Sequence, residues 1–231
     1  MTHPTPETYA EWNEYWCQRI NTSLYFETPN PVISWIEHKR LSVILRELAS
    51  QPQHKILDVG CGDGVIMKMI QCGERTGIDL SCTMLDRARS RVSLGADFIQ
   101  MDAEHMTFSD NSFDRICCSE VLEHVLHPQQ VLSEIWRVVK PDGIVVVSIP
   151  NERLIRLCKK FVHVLHLRLL LSLSDEQKIA PLYNPWHLHN MSRSLFLQWS
   201  KKLFKCEKIL LIPLTILPLR YVFVLRHQKH E

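Results

Sequence analysis

At 231 residues, with 45% hydrophobic and 23% charged residues, the chain has an ordinary globular composition and enough apolar material for a large core. Those values exclude intrinsic disorder, collagen-like repeats and coiled coil. A net charge of +2 is too small to imply a polyanionic partner.

Apolar periodicity predicts helices over residues 7–20 and 31–49, the second with Pro31 in its first turn. The rhythm then changes to short apolar runs alternating with helices. Strands are expected at Lys55–Val59, Arg75–Leu80, Ala96–Met101, Phe113–Ser119 and Ile144–Ile149, with helices at 64–72, 81–93 and 128–139. Ser81 is placed to cap the second of these helices, and Pro128 to open the third. The run Ile144–Ile149 (IVVVSI) has no alternation, as expected of a strand buried on both faces. Strand and helix alternating at this spacing argue for a parallel, doubly wound α/β sheet. After Asn151 the rhythm breaks for about forty residues, and a helix at 192–203 and strands near 206–212 and 219–225 close the chain. The short spacing of the last two predicts a hairpin, so one of them runs antiparallel.

No cysteine pair has CxxC spacing, which removes zinc-ribbon and thioredoxin-type readings. The polar, acidic N-terminus has no apolar stretch of a secretory signal. Phe161–Leu173 and Ile209–Leu225 are apolar but interrupted by charge or proline, short of the ~20 residues a spanning helix needs. These features predict a cytoplasmic protein.

Glycine is scarce, seven in 231, yet five fall between Gly60 and Gly77. The run Ile56-Leu57-Asp58-Val59-Gly60-Cys61-Gly62-Asp63-Gly64 passes from a buried strand through a turn into a helix, the place where doubly wound sheets bind ligands. A phosphate-binding P-loop is absent. A dinucleotide fingerprint fails because Val65 stands where the third glycine would be. Asp58 before the turn suits an amine-bearing or cationic ligand and would repel a pyrophosphate. Asp79 ends the second strand nineteen residues after Gly60, where an acidic residue accepts from ribose hydroxyls. Asp102 ends the third strand, placed to accept from an adenine amino group, with Ala103 supplying a backbone donor. The fourth strand ends in Ser119-Glu120-Val121-Leu122-Glu123-His124-Val125.

ILDVGCGDG, TGIDLSCTMLDRAR, FIQMDAEHMTFSDNSFD and SEVLEHV together resemble, in order and spacing, the motifs of class I S-adenosylmethionine-dependent methyltransferases, most closely the methyltransferase type 11 branch with the ubiquinone O-methyltransferases. The resemblance covers residues 40–150 well and 185–225 weakly. It implies a single Rossmann-like domain over 1–231: a seven-stranded, mostly parallel sheet with an antiparallel final strand, N-terminal helices over 1–50, and a helical cap insert over 151–190. It implies S-adenosyl-L-methionine as cofactor. Asp58, Gly60, Cys61 and Gly62 would surround its methionyl end, Asp79 the ribose, Leu80, Asp102 and Ala103 the adenine, and Ser119 and Glu120 the floor beneath the sulfonium. Arg40 would approach the cofactor carboxylate, although its spacing from Asp58 matches the pattern poorly.

Methyl transfer from a sulfonium needs the nucleophile held in line, and a base only if the nucleophile arrives protonated. His124, His187 and His189 are the candidate catalytic residues; His127, before Pro128, reads as a helix cap. His187-Leu188-His189 also has the spacing of two metal ligands, but no third ligand is evident nearby in sequence, so no metal is expected. Asn151 and Glu152 either contact substrate or begin the next helix. Residues 151–171 carry five basic residues against one acidic in a basic amphipathic pattern. It reads as a cap helix with a solvated basic face, or as a peripheral contact with an anionic membrane. The acceptor expected is a small or lipid-linked molecule, methylated on oxygen or nitrogen. A nucleic-acid methyltransferase would show an Asp/Asn-Pro-Pro-Tyr-like motif after strand four or a Pro-Cys nucleophile, and neither is present. A cofactor-binding protein without catalysis is the third reading.

Overall fold

A computed structural model describes residues 4–19, 30–70, 73–164 and 186–228, with side chains of 162–164 left aside. Seven strands form one sheet in the order β3-β2-β1-β4-β5-β7-β6: β1 (Lys55–Val59), β2 (Glu74–Asp79), β3 (Asp97–Gln100), β4 (Phe113–Ser119), β5 (Val139–Pro150), β6 (Phe204–Leu214) and β7 (Leu217–His227). Pairings from β3 to β5 are parallel; β7 runs antiparallel to β5, and β6 antiparallel to β7. The sheet is thus the doubly wound, seven-stranded, mostly parallel one expected. The chain moves outward from β1 to β3 and then returns to β4, so strand order reverses between β1 and β4. That reversal opens a crevice at their carboxyl ends.

Both sheet faces are covered, which explains the unalternating strands. In β5, Val145 and Val147 join one apolar cluster and Val146 the other, all fully buried. The first cluster is completed by Val131, Leu132 and Ile135 of α5 (Pro128–Val138) and Phe196 of α7 (Arg193–Ser200). The second is completed by Leu41, Ile44 and Leu48 of α2 (Pro31–Leu48), Met67 of α3 (Val65–Met69) and Leu85 of α4 (Cys82–Arg91). Each such buried aliphatic side chain contributes roughly 1.5–3 kcal/mol relative to exposure.

Local signals set the helix starts. Asn30 Oδ1 accepts from the N–H groups of Val32 and Ile33, with Pro31 at the first helical position. Ser81 Oγ accepts from Met84 N–H and Ser192 Oγ from Leu195 N–H. α1 (Tyr9–Arg19) packs on α4, where Arg87 donates to the Cys17 carbonyl at 3.2 Å and Thr83 to Glu14.

Four expectations differ. Helix α3 stops at Met69 because Ile70 is extended. β5 begins at Val139 rather than Ile144: Val139 pairs with Phe113 and Ile144 with Arg115, so Lys-Pro-Asp-Gly is a bulge inside the strand and not its boundary. His127 occupies the cap position of α5, but its side chain makes no cap bond; Nδ1 instead meets Glu104 at 2.6 Å. The hairpin also runs longer than expected, its turn lying between Leu214 and Leu217. Of the insert, α6 (Glu152–Val164) is described, and residues 165–185 of the expected helical cap lie outside the described residues. No helix among the described residues is long and apolar enough to cross a membrane.

Candidate active site

The turn after β1 is built on positive φ at Gly60 (66°) and Gly62 (52°). At Gly60 a Cβ would lie 2.5 Å from Val121 Cγ2, so the bare backbone lets the β1 and β4 loops pack together. At Gly62 a Cβ would meet nothing within 4 Å; the turn faces open space on that side. The Gly62 N–H donates to Asp79 Oδ2 at 2.9 Å, and Ser81 N–H to Asp79 Oδ1 at 2.9 Å. Asp79 therefore ties the glycine turn to the end of β2, with burial pushing its carboxyl up to about 6.

Asp58 lies beneath this turn, 1% exposed, and its Oδ2 has no hydrogen-bond partner. Burial is the main cause that pushes its carboxyl up to about 7. A buried carboxylate oxygen left unmatched beside an open glycine cradle fits a ligand that brings positive charge. Cys61 is buried beside it, its N–H donating to the Ile78 carbonyl, and its thiol is pushed up by burial and by Asp58.

Asp102 borders a cavity of about 610 Å³, which Tyr9, Glu104 and Leu126 also line. Its Oδ1 accepts from Glu104 N–H at 2.8 Å. The half-buried Ala103 packs against the core, and the carbonyl of Leu80 accepts from Gln100 Nε2 at 3.0 Å. Asp58, Asp79 and Asp102 thus stand at the ends of β1, β2 and β3, in the order a nucleoside attached to an amino acid would meet them.

At the end of β4 the side chains close into a ring. Arg40 Nη1 donates to Ser119 Oγ; Ser119 and Ser148 share a hydrogen bond at 2.9 Å; Ser148 donates to Glu120 Oε1 at 3.0 Å. Arg220 Nε meets Glu120 Oε2 at 2.7 Å, and Glu37 joins Arg220 (3.4 Å) back to Arg40 (2.9 Å). Burial opposes the Glu37 charge, but Arg40 and Arg220 outweigh it and hold the carboxyl below its ordinary range. The ring brings Arg40 to the crevice despite its poor spacing in sequence. It also holds Glu120 at φ 57°, a strained value for a residue with a side chain.

Beyond Glu120, the structure gathers Glu123, His124 and His187, with one ligand-capable atom of each within 4.8 Å of the others. His124 Nδ1 donates to the Trp186 carbonyl at 3.1 Å, and its ring lies 4.0 Å from Trp186 and 4.8 Å from His187. Burial first, and His187 second, push the His124 imidazole well below its usual range, so it is neutral at pH 7. His187 Nδ1 meets the carboxylate of Glu152. His189 is not brought into this group: its Nε2 donates to the Val125 carbonyl at 2.8 Å. Glu123 and His124 lie more than sixty residues from His187 along the chain, so the fold and not local spacing brings the three together. The residues of this region that the sequence did not single out are Glu123, Tyr9 and Arg220. Glu123 stood inside the quoted SEVLEHV motif, and its acidic type was the available signal. Tyr9, whose hydroxyl donates to the His124 carbonyl at 3.3 Å, gave none. Asn151 caps α6, Oδ1 accepting from Leu154 N–H, while Nδ2 donates to the Pro218 carbonyl.

Residues 57–147 match the family described as "Methyltransferase domain". The ubiquinone biosynthesis O-methyltransferase of Pasteurella multocida (strain Pm70) is 32% identical over 130 residues, covering 50% of this chain and 54% of that one. A ubiquinone/menaquinone biosynthesis C-methyltransferase of Ruegeria sp. (strain TM1040) is 34% identical over 123 residues, covering 48% and 49%. The chain spans about half the length of these curated relatives. Among solved structures, the N-methyltransferase NodS of Bradyrhizobium japonicum WM9, in complex with S-adenosyl-L-homocysteine, superposes with a TM-score of 0.68 at 14% identity, covering 94% of this chain and 99% of that one. The matched span, residues 57–147, holds the glycine turn and the three strand-end aspartates, and over that span the chain is similar to a methyltransferase domain.

Proposed function

We propose that the chain transfers a methyl group from S-adenosyl-L-methionine to an oxygen or nitrogen of a small-molecule or lipid-linked acceptor. The observation that carries this reading is the partnerless buried oxygen of Asp58 beneath the open glycine cradle, one strand from the polar group at the end of β4. When bound, the cofactor supplies a methyl group activated by positive charge on sulfur. Asp58 with Gly60, Cys61 and Gly62 holds its methionyl end, Asp79 the ribose, and Leu80, Asp102 and Ala103 the adenine. Ser119 and Glu120, fixed in the ring with Arg40, form a rigid floor. Rigidity matters because the protein's main contribution is to hold nucleophile and methyl carbon in line. The imidazole of His124, kept neutral by burial, and that of His187 stand where a hydroxyl acceptor would need to lose its proton.

The test is calorimetry with S-adenosylmethionine and its demethylated product, followed by a labelled-methyl screen of lysate fractions. Binding of both and transfer to an extractable small molecule is expected. Absence of binding would overturn the reading.

Access to a lipid-linked acceptor is favoured by α6. Arg153, Leu157, Lys160 and Phe161 are exposed on it at helical spacing, Leu157 at 54% and Phe161 at 64%. A cap helix with only a solvated basic face would have turned these two apolar residues inward. A mixed basic and apolar face instead suits the headgroup boundary of an anionic membrane.

A further inference from the structure

We propose that Glu152 is a positioning residue that holds His187 as the proton acceptor for a hydroxyl-bearing substrate, with His124 beside it as a fixed wall of the pocket. This role rests on the methyltransferase reading and narrows its acceptor to one with an ionisable hydroxyl.

Glu152 and His187 meet from two separately anchored segments. Asn151 N–H donates to the Leu219 carbonyl at 2.9 Å, which sets the start of α6 against β7, and Glu152 is the first residue of that helix. The loop bearing His187 is pinned by Leu188 and His189 N–H, which both donate to the Glu123 carbonyl, at 2.7 and 3.2 Å. One helical turn beyond Glu152, Arg156 Nη2 donates to Asn190 Oδ1 at 2.9 Å, so one face of α6 grips the loop twice.

The chemistry of the pair follows from its partners. A carboxylate only accepts, so its bond to His187 Nδ1 places the proton there and the lone pair on Nε2. Burial opposes the Glu152 charge, but the His187 hydrogen bond, with Arg220 and Arg156 behind it, outweighs burial and holds the carboxyl below its ordinary range. The ionised carboxylate therefore stands where it stabilises the imidazolium that forms when Nε2 takes a proton. His124 is placed differently. Its Nδ1 partner is the Trp186 carbonyl, and its ring lies 4.0 Å from the Trp186 ring. Burial first, and His187 second, push its imidazole well below the usual range, so it resists the proton that a base must take. Lys159 of α6, Arg220 of β7, and Glu120 and Glu123 after β4 also face the pair. Glu120 is matched by Arg220 at 2.7 Å, and burial pushes the Glu123 carboxyl up, which leaves Glu152 as the negative charge at the ring.

With a substrate hydroxyl against Nε2, its proton passes to that nitrogen as its oxygen bonds the methyl carbon. The carbon–sulfur bond breaks with its electron pair going to sulfur. The His187 side chain is 17% exposed, and the imidazolium releases its proton to water along that edge.

The test is labelled methyl transfer from S-adenosylmethionine by the full-length protein to two probe phenols at about pH 8. The hydroxyl of 4-methylphenol holds its proton there, and that of 4-nitrophenol is largely ionised. His187→Ala should slow transfer to 4-methylphenol about 100-fold or more. Glu152→Gln should slow it about tenfold, because the amide oxygen still accepts the Nδ1 bond but the charge is gone. Both losses should be clearly smaller for 4-nitrophenol, whose proton has already left. In Glu152→Gln the acidic limb of the 4-methylphenol rate should also move to lower pH, the imidazolium having lost its counter-charge. Arg156→Ala loosens the same loop and should slow both probes in equal proportion. Retained affinity for S-adenosylhomocysteine shows that a variant is folded. The proposal is overturned if Glu152→Gln and His187→Ala slow the two phenols in the same ratio, or if wild type binds the nucleoside and methylates neither phenol. Failure of wild type to bind the nucleoside would overturn the methyltransferase reading, and this role with it.

Discussion

The backbone N–H of Gly62 donates to Asp79 Oδ2 at 2.9 Å, so the glycine turn after β1 is held by the last residue of β2. One carboxylate thereby shapes the cradle and presents its remaining lone pairs to a ligand. Asp79→Ala should lower affinity for S-adenosylhomocysteine at least 100-fold by calorimetry. It should also cost about 1–3 kcal/mol in urea unfolding, because the N–H groups of Gly62 and Ser81 lose their acceptor. Wild-type affinity in this variant would contradict the assigned site.

The two glycines of the turn separate packing from ligand access. Gly60→Ala places a methyl 2.5 Å from Val121 Cγ2 in addition to its backbone strain, and should lower the thermal midpoint markedly. Gly62→Ala meets no atom within 4 Å and bears only the strain of φ 52°, about 1–2 kcal/mol. Its methyl nevertheless projects into the space assigned to the cofactor. A small loss of stability with a loss of nucleoside affinity is expected at 62, and the reverse weighting at 60.

Asp58 should trade stability for binding. Burial raises its carboxyl from the ordinary 3.8 to about 7. The folded chain then holds this proton more tightly than the unfolded one, so the associated stability is present below pH 4 and lost as pH rises through about 7. Asp58→Asn does not titrate. It should be more stable than wild type at pH 8, on the order of 2–4 kcal/mol, with the difference vanishing near pH 4. Its cofactor affinity should be lower than that of wild type at pH 8, where the wild-type Asp58 carboxylate is ionised. Denaturant curves at the two pH values decide the matter, and an equal difference at both would show that the Asp58 proton is not linked to folding.

On α6, replacing Leu157 and Phe161 together by Asp removes exposed apolar surface and adds negative charge. Wild type should sediment with anionic vesicles at low salt and be released by salt, whereas the double variant should stay in the supernatant. Because both side chains are exposed, its thermal midpoint should stay close to wild type. No sedimentation of wild type at low salt would remove the membrane contact.

The order of strands and helices, and the three aspartates that end β1, β2 and β3, were legible in the sequence. Buried-strand periodicity, helix caps such as Ser81 and the positive φ of a glycine turn are imposed by neighbouring residues and so are written in short windows. The resemblance to methyltransferases rests on those same windows. Where local signals misled, a distant partner had prevailed: Lys-Pro-Asp-Gly bulges within β5 because Val139 pairs with Phe113, and the His127 side chain is taken by Glu104.

What only the tertiary structure decided is which side chains meet beyond β4. Arg40 reaches Ser119 because α2 packs on the sheet, and Arg220 reaches Glu120 because β7 lies beside β5. His187 joins Glu123 and His124 because its loop hydrogen-bonds to the Glu123 carbonyl, while two residues later the same loop turns His189 toward Val125. Periodicity reports the environment of one segment. The convergence of three segments depends on sheet order and loop docking, which no single segment encodes.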